Sequence, residues 1–215
     1  MIIDILRQSN IYNGLRNSKI YYIFDFIRNI PNIIKFIKKG FAGPMPPPLK
    51  RIVIKQYLEN YKLSIFIETG TLMGDTTIVV ARTGAICYTI ELSEKYYNLS
   101  KKKLKKFKNV HIFHGNSRDI LPNILTNLNQ PALFYLDAHF SGNDTANSQN
   151  PIYDELNFIL SHKINKHVIL IDDARLFNGT DSYPEIEQIY NLINKHFKNL
   201  YSVEISCDII RIVPL

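Results

Sequence analysis

Long apolar runs are missing from this 215-residue chain: no stretch approaches the roughly 18 uncharged apolar residues that a membrane-spanning helix needs. Cysteine is scarce. Cys87 and Cys207 have no close pairing pattern, which excludes a disulfide framework. The N-terminus carries no secretory leader, so both are expected as reduced thiols in a cytosolic protein. The Asn-x-Ser/Thr sites at Asn98, Asn143 and Asn178 then read as chance. The dinucleotide fingerprint G-x-G-x-x-G is absent too, because Leu72 stands at its second glycine in Gly70-Thr71-Leu72-Met73-Gly74. Pyrophosphate needs bare backbone at that point, which argues against a nicotinamide dinucleotide. With 46% hydrophobic and 21% charged residues, the chain is no disordered polyelectrolyte. It is long enough to bury a core without disulfides or a structural metal.

Charge is present but unevenly placed. The formal net charge is +7. Residues 1–50 hold eight Lys/Arg and two Asp, a net of +6. A second basic feature, Lys101 to Lys108, supplies six lysines, and the rest of the body is net acidic. A uniformly basic nucleic-acid binder is therefore not expected.

Ile20, Ile23, Phe24 and Ile27 recur at helical spacing, and after Pro31 the pattern resumes with Ile33, Ile34 and Ile37. Lys19, Arg28, Lys35, Lys38 and Lys39 lie among them. Two readings stand: a basic amphipathic surface for an anionic membrane or a partner (a second copy included), or a pair of short helices packed on the main domain. Gly40–Pro48 reads as a linker, because consecutive prolines favour an extended backbone. This divides the chain into a helical basic extension, 1–48, and a main domain, 49–215.

Beyond the linker, apolar runs at Ser64–Thr69, Ile86–Glu91, Val110–His114, Ala132–Asp137 and Val168–Asp172 alternate with helical stretches at about 75–82, 93–106, 117–127, 152–162 and 184–197. Continuous apolar runs separated by helices predict buried parallel strands in an α/β doubly wound sheet. Leu200–Ile205 and Asp208–Val213 are separated by two residues, too few for a crossover, so they must pair antiparallel.

Ligands bind such a sheet outside the carboxyl ends of its strands. The first strand runs into Glu68-Thr69-Gly70, and Gly74-Asp75-Thr76 opens the next helix, where free N–H groups gather. The second strand ends in Glu91-Leu92, 21 residues after Gly70, where a carboxylate can accept from both hydroxyls of a ribose. After the third, Asn116 or Ser117 could bond an adenine edge, or Ser117 could cap the following helix. The fourth ends in Asp137-Ala138-His139 and the fifth in Asp172-Asp173-Ala174-Arg175. Three converging carboxylates repel one another, which predicts a divalent cation; otherwise Asp172 and Asp173 cap a loop or pair with Arg175. His139 is placed to act as a base near neutral pH. The polar loops 141–150 and 178–183 flank this edge and suggest a hydroxylated small-molecule or glycan acceptor.

On these residues the body, 60–215, resembles the class I S-adenosylmethionine-dependent methyltransferases, with an acidic residue and glycines in the first motif (Glu68, Gly70, Gly74) and the acidic residue after the second strand (Glu91). Asp137 with Asp172-Asp173 is similar to the metal-dependent O-methyltransferases of the macrolide-sugar and catechol types. The resemblance implies a Rossmann-like fold with a terminal antiparallel strand and S-adenosylmethionine as cofactor. The implied cofactor contacts are Glu68, Thr69, Gly70, Gly74, Asp75, Thr76, Glu91, Leu92, Asn116, Ser117 and Asp137. It also implies Mg²⁺ or Mn²⁺ held by Asp137, Asp172 and Asp173, with catalysis by His139 and Asp137. The catechol-type lysine is missing, since position 140 is Phe.

Two rival functions remain. The lysine helix could serve an RNA-modifying methyltransferase, although Leu99 and Leu104 facing the sheet would leave the lysines merely solvated. Alternatively, the chain could be an inactive adaptor that works through its basic extension.

Overall fold

The computed structural model describes residues 19–137, 150–180, 182–197 and 200–215. In chain order they form α1 (Lys19–Lys38), α2 (Pro47–Asn60), β1 (Ile65–Thr69), α3 (Asp75–Ala81), β2 (Ile86–Glu91), α4 (Glu94–Leu104), β3 (Val110–His114), α5 (Ser117–Thr126), β4 (Leu133–Leu136), α6 (Ile152–Leu160), β5 (Val168–Ile171), α7 (Ile186–His196), β6 (Tyr201–Ser206) and β7 (Ile209–Pro214). The sheet order is β3-β2-β1-β4-β5-β7-β6, with β1 to β5 parallel and β7 antiparallel to both neighbours. This is the expected doubly wound α/β sheet. The terminal hairpin closes through Cys207 and Asp208, both at positive φ, as a two-residue turn of matching twist requires.

Alternation within the central strands covers both sheet faces. Ile65, Ile67, Phe134, Leu136, Ile169 and Ile171 pack with Leu121 of α5, Leu156 of α6 and Ile189 of α7. Phe66, Leu133, Tyr135, Val168 and Leu170 face the other way, against Ile54 and Leu58 of α2, Val80 of α3 and Phe36 of α1. A strand apolar on both sides is what a parallel sheet between helical layers demands.

Two expectations about the amino-terminal region change. Residues around Pro31 form one 20-residue helix with the proline inside it, rather than two short helices. The proline-rich stretch does not remain a linker, because Pro47 and Pro48 open α2. A proline in the first turn gives up an N–H that has no intrahelical partner anyway, and its φ suits the helix. Both helices dock on the body. Asp25 pairs with Arg51 inside the interface, and the Tyr22 hydroxyl donates to the Asp75 carbonyl at 3.4 Å. Tyr21, Ile33 and Phe36 are buried, while Ile23, Phe24, Ile27, Ile30, Ile34 and Ile37 face outward. No helix among the described residues is long and apolar enough to cross a membrane.

At the amino end of β5, away from the strand carboxyl ends, buried His167 accepts the Ala132 N–H on Nδ1 at 3.1 Å, and its Nε2 meets His162 Nδ1 at 2.8 Å. Burial, with the neighbouring His162, pushes the His167 pKa down from 6.5 to about 4. Between those values the unfolded chain binds the extra proton, so the contribution of His167 to stability is lost as pH falls through the window. His167→Gln should remove that limb: urea unfolding of the parent, but less so of the variant, should lose about 1–3 kcal/mol between pH 7 and pH 4.5. Equal losses in both would refute the assignment.

Candidate active site

The strand order reverses between β1 and β4, so their carboxyl ends part to leave a crevice. The loop after β1 forms its first wall. Gly70 adopts φ +87 and donates its N–H to the Ile90 carbonyl at 3.0 Å, laying the loop against β2. Gly74, at φ +71, caps α3; a β-carbon there would meet Leu104 at an ordinary 3.4 Å, so the backbone rather than space calls for glycine. Leu72, the residue in place of the second glycine, takes φ +48 and leaves its side chain half exposed.

Glu91 ties the two loops together. Its carboxylate accepts the Leu72 N–H at 2.7 Å and the Ser93 N–H at 2.8 Å. A carboxylate offers about four acceptor positions, so ribose hydroxyls can still be bound. Leu92 beside it is exposed. Gly70 and Glu91 thus stand together at one sheet edge, the loop bonded both to the β2 backbone and to the Glu91 carboxylate.

Glu68 is buried beneath the loop, where its Oε2 accepts from Thr77 at 2.5 Å and from Thr89 at 2.8 Å. Burial pushes its pKa up to about 8 despite those two bonds. Thr69 is also buried, and its hydroxyl lies 3.4 Å from Glu155 Oε2. Glu155, fully buried on α6, went unnoticed in the sequence; burial raises its pKa to about 7, against hydrogen bonds from Ser117 and Thr69. A helix-internal Glu gives no sequence signal of facing a strand end. Asn116, not Ser117, caps α5, accepting the Arg118 N–H at 3.0 Å. Asp75 and Thr76 occupy the first turn of α3.

Lys103 departs from expectation. The neighbouring lysines 101, 102, 105, 106 and 108 are exposed, whereas Lys103 is buried and donates to the Met73 carbonyl at 2.8 Å, with Asp75 3.8 Å away. It pins the β1–α3 loop from below. Of the two leucines expected to face the sheet, Leu104 does, while Leu99 is largely exposed.

The second wall lies at β4 and β5. A small recess, open to solvent, is lined by Leu136, Asp137, Asn150, Ile152, Ile171, Asp172, Phe177 and Tyr183. Asn150 and Tyr183 come from the two polar loops that the sequence marked. The Tyr183 pKa is pushed up to about 12 by burial and by the carboxylates of Asp173 and Asp137. His139 and Phe140 lie outside the described residues.

Two cations already pair with the acidic cluster here. Lys50, in the first turn of α2, pairs with Asp172 Oδ2, and its Nζ stands 3.7 Å from Asp173 Oδ1. Tyr135 donates to the same Asp172 oxygen at 2.7 Å, and the Asp173 N–H donates to the other at 2.9 Å. Arg175 binds Asp173 Oδ1 at 2.8 Å and also pairs with Asp208. Burial works against the Lys50 charge, but the carboxylates of Asp172, Asp137 and Asp173 outweigh it and hold its pKa above the ordinary lysine value. Among the described residues, no group of three His, Cys, Asp or Glu is placed to hold a metal ion. Asp137 and Asp172 do share the cleft, yet the set does not fit a divalent ion, because protein donors take both Asp172 oxygens and Arg175 takes Asp173 Oδ1. The Asp173–Arg175 pairing, the weaker expectation from the sequence, is present.

No family model and no curated protein sequence matches the chain. Solved structures do. The O-methyltransferase from Bacillus cereus, in complex with S-adenosylhomocysteine, aligns over 85% of this chain and 88% of its own at a TM-score of 0.59 and 20% identity. TomG from Streptomyces achromogenes, an O-methyltransferase of tomaymycin synthesis bound to S-adenosylmethionine, aligns over 78% and 80% at 0.55 and 14%. The chain has the O-methyltransferase fold. A third enzyme with this fold, the S-adenosylhomocysteine-bound methyltransferase PaMTH1 of Podospora anserina, aligns over 80% of each chain at 0.54 and 17% identity.

Glu68 supplies a direct test of how this wall is held. Between pH 4.5 and about 8 the folded chain keeps a proton that the unfolded chain releases, so the Glu68 contribution to stability declines as pH rises through that range. Glu68→Gln keeps an oxygen acceptor for both threonines without the titration. In urea unfolding the variant should match the parent near pH 5 and exceed it by roughly 3–5 kcal/mol at pH 8.5. Parallel pH profiles would contradict the burial account.

Proposed function

We propose that this chain is an S-adenosylmethionine-dependent O-methyltransferase acting on a hydroxylated small molecule or glycan. The observation that carries the reading is the Gly70 loop bonded to the Glu91 carboxylate at the strand ends, on a fold whose solved neighbours include enzymes holding this cofactor or its product. Glu91 would bind the ribose, and the N–H groups of the Gly70–Gly74 loop would face the amino-acid end. The cofactor supplies an activated methyl group, leaving the protein to position and to manage charge. The acceptor hydroxyl would approach the recess of Asp137, Asn150 and Tyr183 at the ends of β4 and β5. As oxygen attacks, the C–O bond forms, the C–S bond breaks with its electrons going to sulfur, and the hydroxyl proton passes to a base at the end of β4. Asp137 in the cleft, or His139 two residues on, fills that role. No step is assigned to a divalent metal, because Lys50 and Arg175 already hold the carboxylates that would bind it.

The exposed side of α1 supports a place of work. Its outward Ile and Phe residues are followed by exposed Lys35, Lys38 and Lys39. An apolar stripe rimmed by cations fits the interface of an anionic lipid surface, and the same cations would repel a second copy of the helix. Buried Lys103 and a lysine helix otherwise turned to water leave RNA with little support.

Isothermal titration should detect one S-adenosylmethionine per chain, weakened about tenfold or more by Glu91→Ala. A parent that binds none would sink the enzyme reading and leave the adaptor. Pelleting with phosphatidylglycerol vesicles, but not with pure phosphatidylcholine, should carry the full chain down, and Ile27→Asp with Ile34→Asp should abolish it. Equal behaviour on both lipids, or dimers in sedimentation that the same changes dissolve, would overturn the membrane proposal.

A further inference from the structure

We propose that the Lys50 ammonium is the resident cation of the acceptor site, filling the position where a divalent ion would bridge the β4 and β5 carboxylates, so that acceptor oxygens are held there without a metal. The inference rests on the methyl-transfer reading and deepens it. It starts from how firmly Lys50 is placed. The prolines at 47 and 48 fix the start of α2, and Ile54 and Leu58, both buried, fasten the helix to the sheet face opposite α6. One residue further, Arg51 is locked to Asp25 of α1. The Lys50 side chain, 17% exposed, is therefore delivered to the acidic edge by the fold and is not a surface chain that happens to reach it.

The electrostatics demand such a group. Asp172 and Asp173 are adjacent, 3% and 5% exposed, and stand at the end of a strand next to Asp137. Buried carboxylates in this number need positive charge close by. Lys50 meets Asp172 directly and Asp173 at 3.7 Å, while Arg175 takes the far side of Asp173. A dication entering the same oxygens would have to expel the ammonium or share the space with it.

An ammonium carries three N–H donors in a compact charge, so it can bond an acceptor oxygen while it keeps Asp172. Asp172 lines the cleft and Lys50 meets it from α2, outside the lining residues, so the acceptor oxygen would be met at that shared edge. Lys50 would then orient the oxygen and stabilise the negative charge that grows on it as the proton leaves for the β4 base. A metal would do the same work through Lewis acidity.

The experiment uses the full chain and free Mn²⁺ followed by electron paramagnetic resonance. The parent should show no stoichiometric site tighter than about 1 mM, a weak limit for a carboxylate site. Lys50→Met, which frees the carboxylates, should bind Mn²⁺ roughly tenfold tighter or better. Lys50→Gln serves in its place if Lys50→Met does not fold. Methyl transfer by the parent should be insensitive to chelator and should fall about a hundredfold in Lys50→Met, with part of the loss restored by Mn²⁺. One Mn²⁺ per parent chain at micromolar concentration, chelator-sensitive turnover, or a Lys50 variant that gains no Mn²⁺ site would each overturn the proposal. Cofactor titration of the parent separates the two readings: absent S-adenosylmethionine binding removes the methyltransferase assignment, whereas the Mn²⁺ titration judges Lys50 by itself.

Discussion

Acidic side chains crowd the carboxyl ends of β1, β2, β4 and β5, and the architecture of this edge follows from the donors that make their burial tolerable. Glu68 takes two threonine hydroxyls, Glu91 two backbone N–H groups, Asp172 a tyrosine and a lysine, and Asp173 an arginine. Each donor comes from a different element from its acceptor or from the loop beside it. Neutralising the charge therefore also fixes the loops. The first loop is held to β2 by Glu91 and from below by Lys103, and β5 is held to α2 by Lys50.

The body of the fold was legible in the sequence because its two signals agree. Runs such as Ala132–Asp137 and Val168–Asp172 are apolar on both faces, and the helices between them begin where an acidic residue or an Asn stands. The two-residue gap at Cys207 could close only as a hairpin. Placing the site was equally direct, since in a parallel sheet the ends of strands are known once the strands are. Gly70, Glu91, Asp137 and Asp172 all arrive at one edge for that reason alone.

What the sequence hid has a common cause: long-range partners leave no local trace. Consecutive prolines read as extended chain, yet the same residues start a helix when apolar positions follow at Leu49, Val53, Ile54 and Leu58. Missing α2 meant missing Lys50, and without that lysine a metal was the natural answer to three carboxylates. Lys103 was lost in a run of six because its neighbours do face water. Glu155 had no pattern to betray it. In each case the deciding contact spans about 30 residues or more.

Lys50 and Arg51 are neighbours in the chain whose ammonium and guanidinium engage different elements, Asp172 at the acidic edge and Asp25 on α1. The first turn of α2 consequently works as a yoke. A tilt of α1 that carried Arg51 with it would also shift the ammonium relative to β5, gearing the outward face of α1 to the ends of β4 and β5.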